Sequence, residues 1–133
     1  MLFRSASRSA AILDLDGDGD LDIVTNNYGD VPQVFISDLA QHRAVHFLKV
    51  RLVGTRSNRD GIGAVVTVQA AGRPQAQVND GKSGYLAQSV MPLYFGLGTA
   101  VQAESVVVKW PTGKQQILRG PLRSGSTLVI REE

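Results

Sequence analysis

Ala11-Ile12-Leu13-Asp14-Leu15-Asp16-Gly17-Asp18-Gly19-Asp20-Leu21-Asp22-Ile23-Val24-Thr25 sets five carboxylates and two glycines between two short apolar runs. Counted from Asp14, acids fall at positions 1, 3 and 5, a glycine at 6 and an acid at 9, which matches the front of a calcium loop. A hard cation takes about six to eight oxygens at ~2.3–2.6 Å, and one tight turn can gather them. Asp14, Asp16 and Asp18 are expected to supply side-chain oxygens and Asp20 its backbone carbonyl, with Asp22 closing the site directly or through water. Thr25 stands where a helix–loop–helix site has its bidentate glutamate, and both flanks read as strands. The expectation is therefore a Ca2+ loop joining two β-strands. The competing reading is a solvated acidic turn. Five carboxylates so close together repel one another, and a bound cation is the simplest compensation.

Working outward, Gly, Asn, Asp and Pro punctuate the chain at short intervals with almost no helical periodicity between them. Strand-like runs recur at Ala10–Leu13, Asp22–Thr25, Gln33–Ile36, Phe47–Val53, Ala64–Ala70, Gln75–Val78, Leu93–Phe95, Ser105–Trp110, Lys114–Leu118 and Thr127–Arg131. Several alternate with period two: Leu48, Val50 and Leu52 against Lys49 and Arg51, or Val106, Val108 and Trp110 against Ser105 and Lys109. Only Ser37–Ala44 tolerates a helix. Many short strands with frequent turns predict an all-β fold, a β-sandwich or open barrel.

The 133 residues suit one domain, or one with an appendage, and can build a core without disulfides. No cysteine is present, which excludes disulfide frameworks, thiolate zinc sites and cysteine nucleophiles. The longest apolar run, Ala10 to Leu13, is far short of the ~20 residues of a membrane span, so no membrane insertion is expected. Met1–Ala10 carries Arg4 and Arg8 but no apolar stretch of a signal peptide behind them. Charge divides the chain: residues 1–40 hold two basic against seven acidic residues, a balance of −5, and residues 41–133 hold twelve against five, a balance of +7. Two segments of opposite sign point to two different roles, with a division into 1–40 and 46–133.

The acidic loop, with the following Asp22–Asn27 and Gln33–Asp38, resembles an FG-GAP or VCBS repeat, although Ser37 replaces that family's usual Asn. The resemblance implies a partial propeller-blade segment in residues 1–40. From His46 onward the chain resembles the ASPIC and UnbV domain. The matching pieces are Val50–Gly54, Ser57–Ala64, Gly84–Gln88, Tyr94–Gly98 and Val108–Gly113, with Tyr94 where the family usually has His. Such domains follow FG-GAP repeats in secreted proteins similar to cartilage acidic protein. The implied setting is secreted or cell-surface, and the implied role is adhesion or matrix association.

Catalysis has little to stand on. His42 and His46 lack a helix pattern or an accompanying Glu and read as surface and strand-edge residues. Gly81-Lys82-Ser83 lacks the first glycine of a phosphate loop, and no serine sits in a nucleophile elbow. The expected function is a calcium-stabilised, non-enzymatic extracellular module that binds a protein or glycan. The alternatives are a structural or assembly domain capping a propeller, and a cryptic carbohydrate-active hydrolase. The cluster Asn58, Arg59 and Asp60 could hold a turn or touch a ligand, and Trp110 could anchor the core or serve as a sugar platform. Basic residues spread over many strands without aromatic interleaving predict no specific nucleic-acid binding. Ile12, Leu13, Ile23, Val24, Val34 and Phe35 must be covered, by the chain's own β-domain or by a second copy. An open strand edge beside Ser37–Ala44 favours a homodimer.

Overall fold

The computed structural model describes residues 6–133. The chain forms two compact units, one running to Ala44 and including Gly81–Ser89, the other made of Val45–Asp80 and Val90–Glu133. The sequence division into 1–40 and 46–133 missed the return of Gly81–Ser89 to the first unit.

In the first unit, β1 (Ser7–Leu13), β2 (Asp22–Asn27) and β3 (Gln33–Phe35) form an antiparallel sheet in that order, followed by the single turn α1 (Leu39–His42). The returning segment lies along the outer edge of β1. There the Ala10 amide donates to the Ser83 carbonyl (3.0 Å) and the Tyr85 amide to the Arg8 carbonyl (2.8 Å). The edge of β1 away from β2 is thus partly paired within the unit. Register places Ile12, Ile23 and Phe35 in one row across the three strands, 60 %, 41 % and 52 % exposed. Val34 is exposed as well, so four of the six side chains expected to be covered are not. Among the described residues of this unit no apolar side chain is buried; the buried side chains are Asp20, Asp22 and Asn27.

The second unit holds β4 (His46–Val53), β5 (Val65–Ala70), β6 (Arg73–Val78), β7 (Leu93–Gly98), β8 (Gln102–Lys109), β9 (Gln115–Arg123) and β10 (Ser126–Arg131). They form two sheets, β10-β4-β7 and β6-β5-β8-β9. Alternation decides which side chains face inward. Leu48, Val50, Leu52, Phe95, Leu97 and Ile130 from the first sheet meet Val66, Val68, Val106 and Val108 from the second, and Trp110 just past β8, in one buried cluster. The fold is an all-β sandwich, and its sheets do not close into a barrel. Glutamines bridge the edges instead. From β6, the Gln75 and Gln77 amides each donate at 2.7 Å to the β7 carbonyls of Gly96 and Tyr94, and from β9 the Gln116 amide donates at 3.1 Å to the Arg131 carbonyl of β10. These contacts satisfy edge carbonyls that would otherwise offer a template for strand addition.

Glu132 ties the C-terminus to the loop after β4. Its Oε2 accepts from the backbone N–H groups of Thr55, Arg56 and Ser57 at 3.0, 2.9 and 2.8 Å and from the Ser57 hydroxyl, while Oε1 accepts from Thr112. Burial pushes the carboxyl pKa up, but the Ser57 hydroxyl and the three N–H donors together outweigh it and lower the pKa to about 2. An acid with a depressed folded pKa stabilises the fold above its unfolded pKa, and the contribution disappears as pH falls through the folded value. Glu132→Gln is therefore expected to lower the urea midpoint at pH 7 and to approach wild type as pH falls from about 5 towards 2. Urea titrations at pH 7, 4 and 2.5 check this; a gap between the two proteins that is constant with pH would contradict it. Among the described residues, no helix is long and apolar enough to cross a membrane.

Candidate metal centre

The acidic loop folds on its own amides. The Gly17 N–H donates to Asp14 Oδ1 (2.8 Å), Asp18 N–H to Asp16 Oδ1 (3.3 Å) and Asp20 N–H to Asp18 Oδ1 (3.0 Å). Side-chain-to-backbone bonds of this kind are how short acids shape a turn without regular secondary structure. Gly17 and Gly19 take positive φ values of 85° and 98°, which a side chain would resist. One oxygen from each of Asp14, Asp16 and Asp18 lies within 4.8 Å of the other two.

Asp20 and Asp22 have different surroundings, each only 1 % exposed. Asp22 accepts from the backbone N–H of Leu15 (2.8 Å) on one oxygen and of Ser37 (2.9 Å) on the other. It fastens both ends of the loop to the chain beyond β3, and each oxygen keeps a second lone pair. Asp20 Oδ2 accepts from the Ala40 N–H at the start of α1 (2.9 Å), while Asp20 Oδ1 is buried with no partner. The expected ligand set uses the Asp20 carbonyl and has Asp22 close the site directly or through water. In the structure the converging carboxylates are Asp14, Asp16 and Asp18, and the other two brace them.

The electrostatics suit a cation. The Asp20 N–H bond lowers the Asp18 pKa, but lost hydration and repulsion from Asp16, Asp20 and Asp14 outweigh it, and the net shift is upward. A carboxylate pressed towards protonation by its neighbours is relieved by a bound positive charge. Hard oxygens alone, with no nitrogen or sulfur in the set, match calcium better than a transition metal. The orphaned oxygen of Asp20 and the three converging acids fit such an ion.

The remaining candidate residues lie in the second unit. Asn58 clamps its own loop, donating to the Ile62 carbonyl and accepting from the Ile62 N–H, both at 2.7 Å. Arg59 and Asp60 form an exposed two-pronged pair at 3.1 and 3.0 Å, which raises the Arg59 pKa and lowers that of Asp60. Asp60 also lines a shallow cleft with Arg51, Asn79, Val90 and Met91. Trp110 is buried in the core, its indole N–H donating to Gln116 Oε1 at 3.0 Å, and offers no sugar platform. His42 contacts Asp38 (3.2 Å) and His46 lies 3.4 Å from the Ser124 hydroxyl, in separate units and remote from the acidic loop in sequence. Sequence reasoning passed over Glu132 because an isolated acid near a chain end carries no pattern.

A two-sheet β-sandwich, with a separate three-stranded sheet that carries an acidic loop, defines the architectural class. The ASPIC and UnbV family profile matches residues 54–133, and the chain belongs to that family. No curated protein matches the chain.

Proposed function

We propose that this protein is a calcium-stabilised, non-enzymatic binding module of the secreted or cell-surface type, recognising a protein or glycan. The observation that carries the reading is the convergence of Asp14, Asp16 and Asp18, braced by buried Asp20 and Asp22. The likeness of residues 1–40 to an FG-GAP or VCBS repeat supports it, since such a loop joins two strands there as it does here. Calcium would hold β1 and β2 at their loop end by neutralising charges that otherwise push the turn apart. Extracellular modules bind calcium at roughly 0.1–1 mM. With a dissociation constant of ~0.1 mM and ~1 mM calcium, linkage stabilises the folded state by about 1.4 kcal/mol. Thermal melts in calcium and in chelator are expected to differ accordingly, with Asp18→Ala removing the difference. Identical melts together with a silent calorimetric titration would refute the calcium reading.

A second reading, an assembly domain that caps a larger β-structure or pairs with a second copy, is favoured by the first unit's lack of any buried apolar side chain among the described residues. An exposed apolar row across three strands is what a sheet leaves for a neighbouring sheet to cover. Sedimentation at micromolar concentration separates a monomer from a self-assembly.

A further inference from the structure

The end of the β1–β2 hairpin opposite the acidic loop carries a second cluster, assembled from three separated segments. Ser7 pairs with Asn27 and Ser9 with Asn26, so Arg8 is the extra residue of a β-bulge. Bulges re-aim a side chain, and they recur beside functional sites. On one side the Tyr28 amide donates to the Ala6 carbonyl (3.0 Å), and on the other the Tyr85 amide donates to the Arg8 carbonyl (2.8 Å). The two tyrosines thereby flank Arg8, whose guanidinium carbon sits 4.1 Å from the Tyr28 ring centre and 5.5 Å from that of Tyr85. Both rings remain open to solvent, 68 % and 64 % exposed.

The arrangement is built. At Gly84 a Cβ would stand 2.6 Å from Ser9 Cα and 2.7 Å from the Arg8 carbonyl oxygen, so glycine is what lets the Tyr85 segment approach β1. Leu86, just beyond, is exposed and holds a positive φ of 53°, a conformation unusual for a leucine. The guanidinium, meanwhile, makes no ion pair or side-chain hydrogen bond among the described residues; its two ring contacts account for it. A planar fork of N–H donors, steadied by one ring at 4.1 Å and a second at 5.5 Å on an exposed residue, is preorganised for bidentate capture of a carboxylate.

We propose that Arg8, Tyr28 and Tyr85 form a binding site for a carboxylate carried on a sugar ring, as in a uronic-acid glycan. The Arg8 fork takes the carboxylate, the phenol hydroxyls meet ring hydroxyls, and the exposed aromatic surface packs on the C–H face of the pyranose. An Asp or Glu side chain has no such flat face, which is why a sugar fits these rings better than an acidic peptide. The acidic loop does not oppose an anion here. Asp14 follows Arg8 by six residues along β1. At roughly 3.4 Å per residue this is about 20 Å, more than twice the ~8 Å Debye length at physiological salt. Asp30, nearer in sequence to Tyr28, turns its Oδ1 to the Val31 amide (2.8 Å).

The site specifies the ligand class within the binding-module reading and needs no ligand contact from calcium. Isothermal titration of the full chain in calcium, with a hyaluronan hexasaccharide, a neutral chitin hexasaccharide and poly-glutamate as probes, tests it. The uronic-acid hexasaccharide is expected to bind and the other two to bind at least about tenfold more weakly. Arg8→Ala is expected to lose tenfold or more in affinity, and Arg8→Lys nearly as much, since a point charge cannot fork onto both oxygens. The calcium-dependent melt should persist in both variants, and sugar binding in calcium should persist in Asp18→Ala, so that failure of the calcium reading is distinguishable from failure of this site. Undiminished binding by a folded Arg8→Ala or Arg8→Lys, or no binding of the hexasaccharide, overturns the site. Equal binding of poly-glutamate overturns the sugar assignment in favour of an acidic polypeptide.

Discussion

Replacing Trp110 with alanine is expected to lower the unfolding free energy by about 3–5 kcal/mol. The indole is buried in the sandwich core at the end of β8, and its six-membered ring lies against the space beside Gly61, where a Cβ would come within 3.2 Å of Cζ3. Truncation removes the largest fully buried side chain among the described residues and leaves a cavity that the surrounding structure refills only in part. It also strips Gln116 Oε1 of its indole donor, on the same side chain whose amide bridges to β10. Core packing and edge closure therefore weaken together. Urea unfolding followed by far-ultraviolet circular dichroism measures the loss, because the variant has no tryptophan fluorescence. A change below about 1 kcal/mol would mean that Trp110 is not packed as described.

Local pattern carried most of the fold. Each of the ten strand-like runs read from the sequence corresponds to a strand, and the stretch tolerant of helix became the short α1. The reason is physical: where one face of a strand is buried, alternation must be written into neighbouring residues, as in Leu48-Lys49-Val50-Arg51-Leu52. What escaped is what distant segments do to each other. Nothing in His46–Val53 or Ser126–Arg131 announces that β4 and β10 pair in parallel. Nothing in Gly81–Ser89 announces that it lies on β1, since its pairing consists of backbone bonds to residues about seventy-five positions earlier.

The candidate sites divide the same way. Asp14, Asp16 and Asp18 were legible because their convergence is a property of one short turn. The bracing roles of Asp20 and Asp22 were not, because their donors at Ala40 and Ser37 lie beyond β3. Asn58 and Trp110 take the structural one of the two roles open to each: Asn58 clamps its own loop to Ile62, four residues on, and Trp110 anchors the core. The Arg8 cluster was invisible for the strongest reason. It depends on a bulge in β1, a glycine at 84 and two tyrosines from different segments.

Gly54→Ala is expected to cost about 3 kcal/mol, the upper part of the range for forcing an extra carbon into a packed site. A Cβ on Gly54 would fall directly on the Asn58 carbonyl oxygen and within 2.9 Å of the Asn58 carbonyl carbon, so the clash is with backbone and no side chain can swing away. That oxygen also accepts the Gly61 N–H at 3.0 Å, while the Gly54 N–H donates to the Arg59 carbonyl at 2.9 Å. The loop is a closed circuit. Moving Asn58 outward strains both of these bonds and disturbs Thr55, Arg56 and Ser57, whose N–H groups converge on Glu132. The effect should thus reach the C-terminus: besides its lower urea midpoint, Gly54→Ala should lose part of the difference between pH 7 and pH 2.5 that Glu132 supplies in the wild type. If the variant matched wild type in both measurements, the loop would have slack that its hydrogen-bond geometry denies, and the coupling between Gly54 and Glu132 would be wrong.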